Sequence, residues 1–199
     1  NLDSTDLELV EDPQVDPLPQ ILGIRFVSVA VPAGATITDA SLQFTVDEVS
    51  TGAANLVIQA DATGNSAAIE KITGNITNRT MTSAAISWTP SEWTVVGEAG
   101  ADQRTPDLAA IVQEIIDQPD WVSGNPITFI MTGTGRRTAE SYDGSPASAP
   151  LLHLEWQVPG VTTLDVPVAD GDDDAEERES GSVNLDSTDL ELVEDPQVD

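Results

Sequence analysis

The 199-residue chain contains no cysteine. That absence excludes a disulfide scaffold, a thiolate zinc site, an iron–sulfur cluster and a cysteine nucleophile. Basic residues are scarce: 7 Lys and Arg stand against 35 Asp and Glu, for a formal net charge of −28. Nucleic-acid binders carry a basic footprint, and docking on anionic lipid needs Lys and Arg, so no nucleic-acid partner is expected. No apolar run approaches the roughly 18 residues of a membrane span, so no membrane insertion is expected either. Aromatic residues make up 4% of the chain, and a single histidine removes any His-rich metal site. The chain neither begins with Met nor carries a signal peptide, as expected of a processed or excised piece of something longer. What is present, 39% hydrophobic residues, suffices for the core of one domain with a tail.

The decisive feature is a repeat. Residues 1–16 and residues 184–199 both read NLDSTDLELVEDPQVD, an identical copy at an offset of 183 residues. Chance does not produce this, and function alone would not preserve filler such as Glu11, Asp12, Pro13 and Gln14. The copy reads as one repeat followed by the opening of the next. A cloning duplication is one alternative. Another is strand donation, in which a C-terminal strand replaces a neighbour's N-terminal strand and must fit the same groove.

Between the copies the pattern is that of β-strands. Ser4 to Val10 alternates imperfectly, and residues 20–31 form a long β-branched run ending at Pro32 and Gly34. Residues 41–49 alternate cleanly, with Leu42, Phe44 and Val46 on one face. The same period of two recurs at Leu56, Ile58, Ala60, at Ile127, Phe129, Met131, and at Leu152, Leu154, Trp156. Such alternation marks half-buried antiparallel strands, and clusters such as Thr63-Gly64-Asn65-Ser66 mark the turns between them. The expected fold is mainly β: an antiparallel two-sheet sandwich, jelly-roll-like, with one short α-helix near 106–117. For that helix, Thr105-Pro106-Asp107 supplies a start signal, and Leu108, Ile111, Val112, Ile115 and Ile116 supply one apolar stripe. Trp88 and Trp156, alternating with polar neighbours, are expected in the core.

Composition shifts after Pro159. The expected domains are a sandwich over 1–158, an acidic Pro/Gly/Asp-rich linker or lead-in over 159–183, and the first strand of the next repeat over 184–199. The segment 165–179 carries a net charge of −7 and each copied segment −6, so acidity concentrates where neighbouring units would meet.

Acidic density invites a Ca²⁺ reading, because Ca²⁺ takes six to eight oxygen ligands. Asp170, Asp172 and Asp174 match the first positions of an EF-hand loop. Ala175 and Gly181, however, stand where glycine and a bidentate Glu are required, so the segment is no EF-hand. A looser site would draw on Asp172, Asp174, Glu176 and Glu177, with Glu140 or Asp143; the alternative is a solvated acidic linker. His153 reads as an ordinary strand-face residue. No catalytic constellation is found: no paired carboxylates stand out among 35 acids, and no nucleophile elbow or phosphate loop is present. For sugar stacking the candidates are Trp93, Trp121 and Tyr142, near turns, although packing of the loops is the commoner use of such residues. The inter-unit strand would use Leu185, Asp189, Leu190, Leu192 and Val193. Asn75-Ile76-Thr77 and Asn78-Arg79-Thr80 are sequons that permit glycosylation where the secreting organism has the machinery and are incidental where it is a bacterium.

Several phrases carry a family resemblance. Gly23-Ile24-Arg25-Phe26, Pro32-Ala33-Gly34-Ala35-Thr36-Ile37 and Ala40-Ser41-Leu42-Gln43-Phe44 resemble carbohydrate-binding-module-like β-sandwich domains of large secreted bacterial proteins, related to the DNRLRE group. Arg137 to Gly144 and Ala149 to Trp156 resemble their last motif and final strand. The literal DNRLRE motif is absent, and the resemblance, over roughly residues 1–157, is diffuse. It implies a jelly-roll fold, secretion and tandem arrays, and no particular ligand. The expected function is therefore a structural repeat unit of an extracellular filament, stalk or matrix fibre. Such units would assemble head to tail on copies of themselves, with strand exchange and Ca²⁺ as possible supports. The alternative is a tandem polysaccharide-binding or adhesin module.

Overall fold

The computed structural model describes residues 4–11 and 20–158, together with the backbone of two short strands, Glu176–Glu177 and Val183–Asn184. The chain divides into two units, Asn1–Pro159 and Gly160–Asp199.

The first unit is mainly β, with antiparallel sheets and one short helix. Its strands are β1 (Asp6–Glu8), β2 (Leu22–Phe26), β3 (Thr36–Gln43), β4 (Val46–Glu48), β5 (Asn55–Ala60), β6 (Ile86–Trp88), β7 (Ile127–Thr134), β8 (Thr138–Glu140) and β9 (Leu151–Gln157). Sheet order is β2-β7-β5-β6 on one side of the core; opposite it are the pair β3-β9 and the triple β1-β8-β4. The long alternating runs are cut where the chain changes partners. The run over 41–49 breaks at Phe44 and Thr45, so that β3 pairs with β9 while β4 pairs with β8.

The alternation expected at Leu56, Ile58 and Ala60 is present: these side chains are buried, while Val57 and Gln59 are half-buried. On β7 the first five residues are all buried, so both of its faces are covered. Strand β7 runs between β2 and β5, and residues 62–82 reach it through the hydrogen bond between the Ser66 and Thr128 hydroxyls. The latter segment is fastened by Arg79. Its guanidinium donates to Asp61 Oδ2 and Ser66 Oγ, both at 2.8 Å, and to the carbonyls of Ala67, Ala68 and Asn75.

The helix α1 (Ala109–Ile116) is shorter than the expected 106–117, and it begins after Leu108. The residues read as its start also serve β3. Thr105 N–H donates to the Leu42 carbonyl and Thr105 Oγ1 accepts from Leu42 N–H, while Leu108 N–H donates to the Ala40 carbonyl. Asp107 Oδ1 accepts both Ala40 N–H and Ala109 N–H, so one carboxylate caps the helix and satisfies the sheet edge. The apolar stripe behaves as expected: Leu108, Ile111, Val112, Ile115 and Ile116 are buried, and α1 packs on β3 and β5. Phe44, Trp88 and Trp93 form the aromatic centre of the core, with Phe44 stacked on Trp88 at 5.8 Å. Trp156, expected in the core, is 40% exposed, because β9 is an edge strand with a partner on one side alone.

In the second unit, Glu176–Glu177 and Val183–Asn184 pair antiparallel as β10 and β11. The acidic segment expected as linker thus supplies a strand to the first residue of the copied sequence.

Candidate functional site

The first strand sits on β8, and the residues before β8 explain why. Arg137 is buried, and its guanidinium donates to the carbonyls of Ser91, Pro90, Gly52 and Arg136 at 2.6–2.9 Å. Burial lowers its pKa from the usual arginine value, with nearby Glu92 opposing that shift. Engagement of four of its five N–H donors by carbonyls makes Arg137 a fastener of the loops at 52 and 90–91, not a free cation. Its own carbonyl accepts Leu9 N–H at 2.8 Å, and Thr138 Oγ1 donates to Glu8 Oε2 at 3.0 Å. Farther along, Ser141 Oγ donates to the Ser4 carbonyl, and a Cβ at Gly144 would collide with the Thr5 carbonyl oxygen. Only glycine lets the turn close on the strand there.

This seat brings acids together. Cα pairing sets Asp6 opposite Glu140, Leu7 opposite Ala139 and Glu8 opposite Thr138. On the other side of β8, β4 carries Asp47 and Glu48, and one carboxylate oxygen each from Asp6, Asp47 and Glu48 lie within 4.8 Å of one another. Asp47 has a raised pKa, chiefly from burial and secondly from the charge of Asp6. Ser4 Oγ donates to Asp6 at 3.0 Å, and Arg136 approaches Glu48 at 3.6 Å. Oxygen ligands on one Ca²⁺, each at about 2.3–2.6 Å from the ion, lie within about 5 Å of one another, so the spacing is compatible with a hard cation. Exposed acids also gather in this way without one.

Of the proposed calcium ligands, Glu140 lies in β8 beside this group, whereas Asp143 is exposed in the following turn and outside it. Glu176 and Glu177 belong to β10, and Asp172 and Asp174 lie outside the described residues. So do the inter-unit strand residues Leu185, Asp189, Leu190, Leu192 and Val193. Sequence reasoning missed Asp47 because it looked like the polar side of an alternating strand, and Glu48 because it falls at the end of the run, in step with the apolar face of Leu42, Phe44 and Val46. Their approach to Asp6 depends on β8 pairing with two strands some forty residues apart.

The stacking candidates are corrected. Trp93 is fully buried, with its indole N–H on the Asp102 carbonyl at 3.2 Å; Trp121 is 4% exposed, with its N–H on the Val31 carbonyl at 3.1 Å. Both fill the core and cannot stack on a sugar. Tyr142 alone is open, at 70% exposure.

No protein-family model matches the chain, and no curated protein or solved structure matches it either. Among the described residues no helix is long and apolar enough to cross a membrane.

Proposed function

We propose that the chain is a structural repeat unit of an extracellular filament, stalk or matrix fibre, joined head to tail through its first strand. One observation carries this reading. Leu9 and Val10 have no solvent exposure and Leu7 packs against the same core, so a segment of this sequence needs a sandwich to receive it. Residues 184–199 repeat that segment, with Leu190, Leu192 and Val193 in the places of Leu7, Leu9 and Val10. The second copy requires a second slot of the same shape, in the following repeat of a longer chain or in a neighbouring subunit. One strand and one slot reused in series give an open, heterologous assembly, and main-chain pairing at the junction suits it to bear tension.

Ca²⁺ belongs to this reading as a junction cation. Its support is charge: a 183-residue repeat carries −22, of which −13 falls in the copied strand and the acidic segment.

The test is electron microscopy of three tandem repeats in one chain, with and without Ca²⁺. Rods with a constant axial spacing are expected, together with a rise in melting temperature on adding Ca²⁺ that chelation reverses. Beads that reorient independently would refute the head-to-tail junction. A melt unchanged at millimolar Ca²⁺ would remove the cation from the reading.

A further inference from the structure

Strand β9 ends the sheet with an unpaired edge. Among the described residues it bonds to β3 alone, and each of its seven residues is exposed or half-buried. Of the other edge strands, β1, β4 and β6 have three residues and β2 five, and the eight-residue β3 is covered on its far side by residues 105–108. A row of free N–H and C=O groups of this length is a template for another strand.

The free groups can be identified. Residues in an antiparallel ladder alternate between bonding to one neighbour and to the other. Ala40 and Leu42 of β3 spend their N–H and C=O groups on residues 105–108, away from β9. Their partners across the ladder are Leu154 and Leu152, which are therefore not hydrogen-bonded to β3. By alternation, Leu152, Leu154 and Trp156 aim their N–H and C=O groups at the open edge.

We propose that this edge pairs with β9 of a second copy of the chain, antiparallel about a two-fold axis at Leu154. That register sets Leu154 opposite Leu154 of the partner subunit and Leu152 opposite the partner's Trp156. All three outward residues then sit in hydrogen-bonded positions. It also sets His153 opposite the partner's Glu155, and Leu151 opposite the partner's Gln157. Avoidance of like charges and of Pro150 selects it over the two neighbouring registers, and the imidazole of His153 can hydrogen-bond the carboxylate of the partner's Glu155. A two-fold at Glu155 would place two glutamates face to face, and a two-fold at His153 would place two histidines together and Pro150, which lacks an N–H, opposite the partner's Trp156. The side chains involved are open: His153 and Glu155 are 51% and 64% exposed, with Glu155 at 3.4 Å and Asp39 at 3.8 Å from His153 Nε2. Trp156, exposed on the isolated unit, gains the partner's Leu152 as a cross-strand neighbour. The contact is isologous and closes at two, so it joins units side by side. It is independent of the head-to-tail junction.

Because the chain has no cysteine, single thiols report the register. Cα atoms opposite each other in non-hydrogen-bonded positions lie about 4.5 Å apart, within disulfide range. Mixing a His153→Cys chain with a Glu155→Cys chain is expected to give a disulfide-linked dimer on oxidation, whereas neither chain alone does. Sedimentation equilibrium of the parent is expected to show a dimer of the 20.9 kDa chain. His153→Glu should raise its dissociation constant about tenfold or more, and adding Glu155→Lys should restore it. A parent that stays monomeric at submillimolar concentration, or equal cross-linking in all three thiol samples, would overturn the proposal. Association that survives His153→Glu but is lost with Leu192→Asp would also overturn it. That outcome would assign the contact to the copied strand and leave the head-to-tail reading standing.

Discussion

Leu9→Ala tests whether the first strand belongs to the core. Leu9 is fully buried and its N–H is bonded to the Arg137 carbonyl at 2.8 Å, so the substitution leaves the main-chain bond in place and removes side-chain packing. Buried Leu→Ala changes cost about 2–5 kcal/mol, including the cavity left behind. Val10 beside it is also fully buried, so packing on both residues limits collapse into the cavity. A loss of about 3 kcal/mol is therefore expected, which lowers the melting temperature by about 6–12 °C in a domain of this size. Leu192→Ala, the same change in the copied segment, should leave the melt of the dilute chain within about 2 °C of the parent. Differential scanning calorimetry on both variants reads the difference directly. A Leu9→Ala melt indistinguishable from the parent, with a large loss appearing only in the double variant, would refute the argument. It would mean that the copied segment occupies the slot equally well.

Three further outcomes follow from the seat of that strand and from the loops. Arg137→Ala leaves four carbonyls without their donor and should cost at least about 3 kcal/mol in urea denaturation; Arg137→Lys should recover little, lacking the planar fork. Arg79→Ala should raise amide hydrogen exchange over residues 62–82 while β3 and β9 keep their protection, because its bonds all lie within that segment and Asp61. Asp47 has a folded pKa above its ordinary 3.8, so the parent loses stability as pH rises from 3.8 through the raised value. Asp47→Asn lacks that loss: it should match or exceed the parent in denaturant midpoint at pH 7, and its advantage should vanish below pH 3.8.

Legibility in the sequence followed the range of the interaction. Period-two patterns placed β5, β7 and β9, and the period of the apolar stripe placed α1, because both are properties of neighbouring residues. The helix starts later than its signals suggest because Thr105, with the right side chain for a cap, bonds Leu42 of β3, while Asp107 divides its carboxylate between β3 and the first helical N–H; nothing local reveals either pairing. The break at Phe44 was hidden for a similar reason: β3 and β4 share one alternating pattern and differ only in their distant partners. Trp156 shows the limit of alternation. Facing the core side of a strand buries a side chain only if the sheet continues beyond it. The acid group at Asp6, Asp47 and Glu48 arises from two strands meeting β8, a pairing that no spacing in the chain encodes.

Identity of the copies also constrains how the slot for β1 is filled. The segment 184–199 would make the same contacts as residues 1–16, so packing and hydrogen bonding cancel in any competition between them. What remains is connectivity. Eleven residues separate Val10 from Leu22, the start of β2, and so tie the local strand close to its slot. A tether of that length corresponds to an effective concentration on the order of millimolar. A copy offered by a separate subunit at micromolar concentration would lose to it by about a thousandfold, or roughly 4 kcal/mol, however good the fit. Repulsion around Asp6 weakens both strands equally and shifts nothing. Within the head-to-tail reading, donation between separate subunits therefore requires the local strand to be withheld, whereas a continuous chain meets the requirement without any competition. Within the head-to-tail proposal, connectivity thus favours junctions inside one continuous chain over strand donation between separate subunits.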